Sequence, residues 1–306
     1  MPSKEIARIM ARRNSRLKRG EMKTALLFSA PAMIPMLVFW IYPIFRSLFI
    51  SITDWDYISP DYNIVWLENY LSIFDSSQFI KSISVTVLFA LYTVIPSMAL
   101  GLALALVFQK AFAGRSVFRA LLFSPWVTPT VAVSIVWIWL FNVDNGLLNH
   151  MLESVGLPTS KWLSSRDTSL MSVSLVTVWK SFGYAMIFYA AALEKVPAQL
   201  YEAASIDGAN GWQKFVNITF PGISPTTFFL MVMMMITSLQ AYDQIQILTQ
   251  GGPAGSTRTL LYLYYQYAFE KYNMGEATAV AAVLMFLTIG LSGIQFWGSK
   301  KWVNYQ

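Results

Sequence analysis

Long apolar stretches alternate with short polar connections along most of the chain, and several are long enough to cross a bilayer as helices. The first covers about residues 25–50 and is interrupted by Pro31, Pro35 and Pro43, which a helix packed among neighbours tolerates. A second is expected at about 82–108, bent near Pro96. A third, at about 120–141, contains Pro125 and Pro129 and ends in the aromatic residues Trp137, Trp139 and Phe141. A fourth is expected at about 170–193, a fifth at 223–247 and a sixth at 277–297. Six spans are expected in all.

The polar connections fix an orientation. Residues 1–23 carry eight Lys and Arg, from Lys4 to Lys23, against Glu5 and Glu21. Ile6, Met10 and Leu17 recur at roughly helical spacing, which predicts a short basic amphipathic helix on the inner leaflet. The following apolar stretch is too long for a signal peptide and no small-residue cleavage site closes it. The connection at 51–81 is acidic and aromatic, with Asp54, Asp56, Asp61, Glu68, Asp75, Trp55 and Trp66, and suits the outer face. Residues 142–169 read as an outer loop with a short helix, Gly146, Gly156 and Pro158 being breakers. Residues 248–273 form the next outer segment. Lys110, Arg115, Arg119, Lys195, Lys300 and Lys301 fall on the other side, so both termini are expected in the cytoplasm.

Composition narrows the chemistry. The 306 residues are 56% hydrophobic and only 12% charged, which places the chain in the membrane class. There is no cysteine, and His150 is the only histidine, so thiolate chemistry, a His-built metal site and a His-dependent triad are excluded. The net charge of +6 would fit nucleic acid, but its basic residues cluster at the N-terminus beside apolar spans and serve topology instead. No G-x-x-x-x-G-K-[ST] occurs, so the chain lacks the phosphate loop needed to hydrolyse ATP itself.

The inner connection at 197–221 is the most informative stretch. Pro197 suits a first helical turn, residues 199–207 favour helix, and Gly208 stands where a left-handed residue ends one. Asn210 can cap a second short helix running through Lys214 to Thr219, whose Trp212, Phe215 and Val216 would face the membrane domain. Pro221 and Pro225 would then start the fifth span. Two short helices joined by a glycine make a knob projecting from the membrane; the alternative is a merely amphipathic inner loop.

Glu202-Ala203-Ala204, Gly208, Ile218 and Pro221 resemble the EAA loop of bacterial ABC importer permeases, with Phe220 where that pattern prefers Leu. Six such fixed positions coincide by chance about once in ten million starts, given average residue usage. Residues 248–253, LTQGGP, with Ser256 and Thr257, resemble the LTxGGP segment after span five of carbohydrate-type permeases. Residues 179–184, continuing to Ala190-Ala191-Ala192-Leu193, resemble their fourth span. The likeness runs from the first span to Gln306 and is greatest to the glycerol-3-phosphate and oligosaccharide importers, including the larger maltose permease subunit. Residues 51–81 are too few for the large outer domain of that subunit.

The resemblance implies an all-α integral membrane permease of the bacterial cell membrane with six transmembrane helices, a cytoplasmic coupling loop and both termini cytoplasmic. Residues 1–24 would be a basic cytoplasmic segment, 25–298 the permease domain and 299–306 a cytoplasmic tail. The chain would be no enzyme and hold no cofactor; ATP and Mg would be used by two copies of a partner ATPase. A second permease subunit, an extracytoplasmic solute-binding protein and lipid complete the expected partners, with no nucleic acid. Glu202 would meet a basic side chain of the ATPase, Ala203 and Ala204 would allow close approach, and Gly208 would make the turn, with Asp207 in the same coupling set.

A sugar path needs aromatic faces and polar groups. Gln240, Tyr242, Asp243 and Gln244 on the fifth span are candidates, with Tyr184 and Lys180 on the fourth. Asp243 has a structural alternative as a pair with Lys180 or Arg258, and Lys180 is read as structural ahead of substrate-binding. A stand-alone ion-coupled sugar carrier is the rival function. It would call for buried acids and an internal repeat, and no repeat is seen.

Overall fold

The computed structural model describes residues 24–109 and 114–304. The basic amphipathic helix expected within residues 1–23 lies outside them, as does Lys110. The described residues are helical, with one isolated antiparallel bridge between Thr53 and Ile64. Five helices have the length and apolar character to cross a membrane: α1 (Thr24–Ile50), α3 (Ser77–Val107), α7 (Ser169–Leu193), α9 (Gly211–Leu239) and α12 (Met274–Ser299). A sixth crossing is supplied by α4 (Arg115–Val127) and α5 (Thr130–Leu140) if the pair counts as one span. Shorter elements complete the chain: α2 (Glu68–Asp75), α6 (Leu147–Ser154), α8 (Ala198–Ile206), α10 (Asp243–Leu248) and α11 (Leu260–Tyr265).

The third span is not the single helix expected at 120–141. It breaks between α4 and α5 with a 98° bend. Pro129 has no N–H to give and disfavours helical backbone at the residue before it, and Thr128 is accordingly extended (φ −74°, ψ 135°). The fifth span also differs from 223–247. It begins at Gly211 and ends at Leu239, and residues 240–242 separate it from α10. The second helix expected after Asn210 does form from residue 211, but it is not separate: it runs through a π-helical turn, Phe215–Thr219, into the bundle as the start of α9. The second span starts five residues earlier than expected, at Ser77. The segment at 248–273 is not simply a loop, because α11 packs inside it with Leu260, Tyr262 and Leu263 buried.

Within a bilayer, helices associate through close packing and interhelical hydrogen bonds, not through exclusion of water. Small residues set the crossings here. A Cβ on Gly101 of α3 would meet the Ala185 Cβ of α7 at 2.6 Å, and one on Gly183 would lie 2.0 Å from the Leu122 carbonyl oxygen of α4. Around these contacts pack Val94, Met186, Tyr189, Leu193, Ile223 and Leu230, joining α3, α7 and α9. A second cluster ties α2, α11 and α12 to α3 through Ile73, Phe79, Leu263 and Val280. Buried hydroxyls add specific bonds: Thr93 to Ser238 at 2.5 Å, and the Leu260 amide to Thr86 Oγ1 at 2.8 Å.

The acidic connection after α1 is folded onto α12. Asp54 accepts the backbone and side-chain N–H groups of Asn63, and the Trp55 carbonyl accepts the amides of Met274 and Gly275. The Asn63 amide holds the Asp54 carboxyl below its usual range, and the Ser59 amide does the same for Asp56. These bonds are therefore intact at neutral pH and weaken as the pH falls through the lowered values. By contrast, α1 leaves most of its length uncovered, with Phe28, Phe39 and Trp40 each more than 70% exposed.

Candidate functional site

Two features of the fold invite a functional reading, and they lie at different levels of the same helix. The first is the knob before α9. Pro197 precedes α8 as its N-cap, Asp207 ends the helix, and Gly208 takes a left-handed conformation (φ +76°) with nothing near its missing Cβ. Asn210 and Gln213 form a reciprocal capping box that starts α9. The two arms are braced by Lys214 Nζ donating to Ser205 Oγ at 2.7 Å and by a 3.0 Å bond between Tyr201 and Thr219 hydroxyls. At its base, Val196 packs 2.9 Å from the position a Gly222 Cβ would take.

Glu202, Ala203, Asp207 and Gly208 are exposed and Ala204 is half-buried. Glu202 makes no ion pair among the described residues. Ile206 is 87% exposed on the same arm. Trp212 does not face the membrane domain as expected from the sequence; it is 71% exposed and stacks on Phe215. The reason is the continuity of α9, which carries Trp212 clear of the bundle. An arm with an unpaired carboxylate, two alanines and exposed apolar side chains can receive another surface.

The second feature is a cleft among α3, α4, α7, α9 and α10. Its empty space, counted to the open mouth, is about 560 Å³, and Thr93, Trp126, Ser181, Tyr184, Thr237 and Gln244 line it. A continuation shares Trp126, Thr177, Ser181, Thr237 and Gln244 and reaches Lys180. The wall is apolar with a few hydroxyl, amide and ammonium groups, the usual make-up of a small-molecule site. Trp126 and Tyr184 stack with ring centroids 4.4 Å apart, and Phe188 continues the row 4.7 Å beyond.

Of the six pathway candidates, the structure brings Tyr184, Lys180 and Gln244 to this cleft. Gln240, Tyr242 and Asp243 do not line it. Gln240 caps α9 and is exposed, Tyr242 packs among Tyr262 and Tyr265, and Asp243 opens α10 on the surface. Asp243 forms no ion pair with Lys180 or Arg258. The sequence reading missed Trp126, Thr177, Ser181 and Thr237. Hydroxyl side chains recurring within apolar spans were the available signal.

Lys180 has a distinct task. Its ammonium donates to the carbonyls of Thr128 (2.7 Å), Trp126 (3.2 Å) and Pro125 (3.4 Å), the oxygens released where α4 ends. A cation at a helix C-terminus also opposes the partial negative charge there. The broken span is thus held open by one side chain from α7. Lys180→Met keeps the length and removes all three donors, so it is expected to destabilise the bundle by about 2–3 kcal/mol. Thermal unfolding of the detergent-solubilised protein would show this as a lowered midpoint, with Lys180→Arg, which keeps a cation and N–H donors, losing less.

Residues 97–296 match the family described as "Binding-protein-dependent transport system inner membrane component". The chain is 33% identical to the probable ABC transporter permease protein YurN of Bacillus subtilis over 88% of its length and 93% of that protein. It is 32% identical to the sn-glycerol-3-phosphate transport system permease protein UgpA of Agrobacterium fabrum, covering 91% and 95%. It is also 32% identical to the trehalose/maltose transport system permease protein MalF of Thermococcus litoralis, covering 90% and 92%. A chain from the crystal structure of a bacterial ABC transporter that imports the acidic polysaccharide alginate has the same fold, with TM-score 0.78 at 22% identity, covering 95% of this chain and 99% of that one.

Proposed function

The chain belongs to the family of binding-protein-dependent transport system inner membrane components, and on that premise we propose that it is one permease subunit of an ATP-driven importer for a carbohydrate or a polyol phosphate. It forms half of the translocation path, and a second, related permease supplies the other half. The uncovered face of α1 suits a lateral neighbour of this kind. The knob end faces the cytoplasm and docks in a partner ATPase present in two copies, which uses ATP and Mg. A solute-binding protein delivers cargo at the opposite end. The rival, a stand-alone ion-coupled carrier, needs an intramembrane acid, and neither part of the cleft presents a carboxylate.

The observation that carries the reading is the union of knob and pathway on one helix: α9 starts in the knob and contributes Met233, Met234, Thr237 and Ser238 to the cleft. A partner that grips the knob therefore acts on the cleft wall. For that grip to move cargo, the ATPase must bind the two membrane states with different affinity, since equal affinity shifts no population. In the cleft, the Trp126–Tyr184 row offers aromatic faces to a sugar ring, and Thr177, Ser181, Thr237 and Gln244 offer partners for its hydroxyls. Lys180 spends its donors on α4 and acts on the shape of the cleft.

The test is a gentle detergent pull-down from native membranes through a C-terminal tag. Recovery of an ATPase with a phosphate loop and of a second permease is the expected result. Recovery of this chain alone, transporting without ATP, would overturn the proposal.

A further inference from the structure

The end of the bundle opposite the knob carries a recess with an unusual charge balance. Lys81 and Arg258 line it together with Ser77, Gln78, Gln250 and Ala254, and its empty space to the open mouth is about 870 Å³. Lys81 Nζ donates to the Ala254 carbonyl at 2.6 Å. A methyl group built on Gly255 would lie 3.2 Å from Arg258 Nη1 and 3.7 Å from Lys81 Nζ, so both cations face the same glycine. Arg166, exposed on the loop before α7, is within electrostatic reach of Lys81 as well. Ion pairs among the described residues involve Arg115, Arg119 and His150, never these three cations. No carboxylate lines the recess, and Arg258 Nε is buried without a hydrogen-bond partner.

We propose that Lys81 and Arg258, with Arg166 nearby, form a binding site for an oxyanion, phosphate or carboxylate, carried by the transported solute. Three gathered cations without a counter-charge repel one another, and an oxyanion in the recess relieves that repulsion while supplying acceptors for their N–H groups. Ala254 and Gly255 add to this. Both have positive φ (+50° and +72°), and neither amide is engaged in a backbone hydrogen bond. Successive free amides in such a turn favour an anion. Lys81 and Arg258 line the recess instead of standing on its rim, which suits a single small anionic group better than a flat protein surface.

The position explains what the site would do. The turn follows directly on α10, whose Gln244 lines the cleft while Gln250 lines the recess. Five residues separate them, four of which belong to α10. The site would hold anionic cargo within one short helix of the cleft, after release from the binding protein. This inference rests on the importer reading and narrows its cargo to acidic sugars and sugar or polyol phosphates.

Binding to the purified full-length chain in detergent tests it by calorimetry at low salt. The probes are glycerol 3-phosphate, galacturonate, inorganic phosphate and uncharged galactose. Glycerol 3-phosphate and galacturonate are expected to bind, galactose is not, and the double variant Lys81→Gln/Arg166→Gln is expected to lose at least tenfold in affinity with an unchanged thermal midpoint. Arg258→Gln is the second variant, checked against the same midpoint because Arg258 also packs on Gly251. Failure of wild-type protein to bind either anionic sugar, or unchanged affinity in the folded variants, would overturn the proposal. So would inorganic phosphate binding in preference to both, or a variant that keeps its anion affinity and loses only capture of the binding protein. Co-purification of the ATPase from the same membranes reads the importer function separately.

Discussion

Replacing Glu202 with Lys is expected to abolish ATP-driven uptake while leaving the membrane bundle folded. Glu202 lies on the exposed face of α8 without an ion-pair partner among the described residues, so its removal costs the isolated subunit little. If it meets a basic group of the ATPase in a partly dry joint, reversal of its charge sets two cations against each other. Truncating one member of such a pair costs about 2–5 kcal/mol, and reversal costs more, so retention of the ATPase should fall by at least about a hundredfold. Glu202→Gln keeps the shape and should be intermediate. Co-purification of the ATPase reads the effect, and the thermal midpoint of the permease should not move. Normal assembly and transport by the Lys variant would remove Glu202 from the joint.

Gly183→Val should prevent recovery of folded protein. Even a single methyl there would lie 2.0 Å from the Leu122 carbonyl oxygen, 2.8 Å from its carbonyl carbon and 3.0 Å from the Phe123 Cα. All three are backbone atoms of α4, so no rotamer change relieves the contact. The helix itself would have to move, and the Lys180 bonds to the end of α4 would go with it. Overpacking of this kind costs about 3 kcal/mol or more. Gly290→Val on α12 is the control, because nothing lies within 4 Å of that glycine's missing Cβ. Yield of monodisperse protein in detergent compares the two. Equal yields would mean that α4 does not press on α7 as described.

Apolar run length made the spanning helices legible, since length and hydrophobicity are properties of one segment at a time. The knob was legible for a related reason. Gly208 and Asn210 act on the backbone within three residues of themselves, so their chemistry needs no knowledge of the rest of the fold. The break at Thr128 had a visible cause in Pro129, yet prolines at 96 and 225 lie inside unbroken helices, and the sequence does not distinguish them. What differs is tertiary: Lys180, 52 residues away, satisfies the freed carbonyls at 128. The break at 240–242 had no Gly or Pro to announce it. There the freed Ala241 carbonyl is taken by the Thr259 hydroxyl, again from a distant segment. The cleft was the least legible part, because its wall draws residues from five helices and their facing is decided only by packing.

The unbroken run of α9 has a mechanical consequence. A helix of this length, Gly211 to Leu239, measures about 43 Å at 1.5 Å per residue. The helix packs against α3 and α7 through Ile223, Leu230 and Met234, and if that packing acts as a fulcrum the two ends become opposite arms of a lever. A tilt of only about 10° would swing each end by about 4 Å, in opposite directions, given that length. Displacement inward at the knob then becomes displacement outward beside Thr237 and Ser238, with no signal relayed through intervening loops. In such a device the stiffness of one rod sets how much of each stroke reaches the cargo.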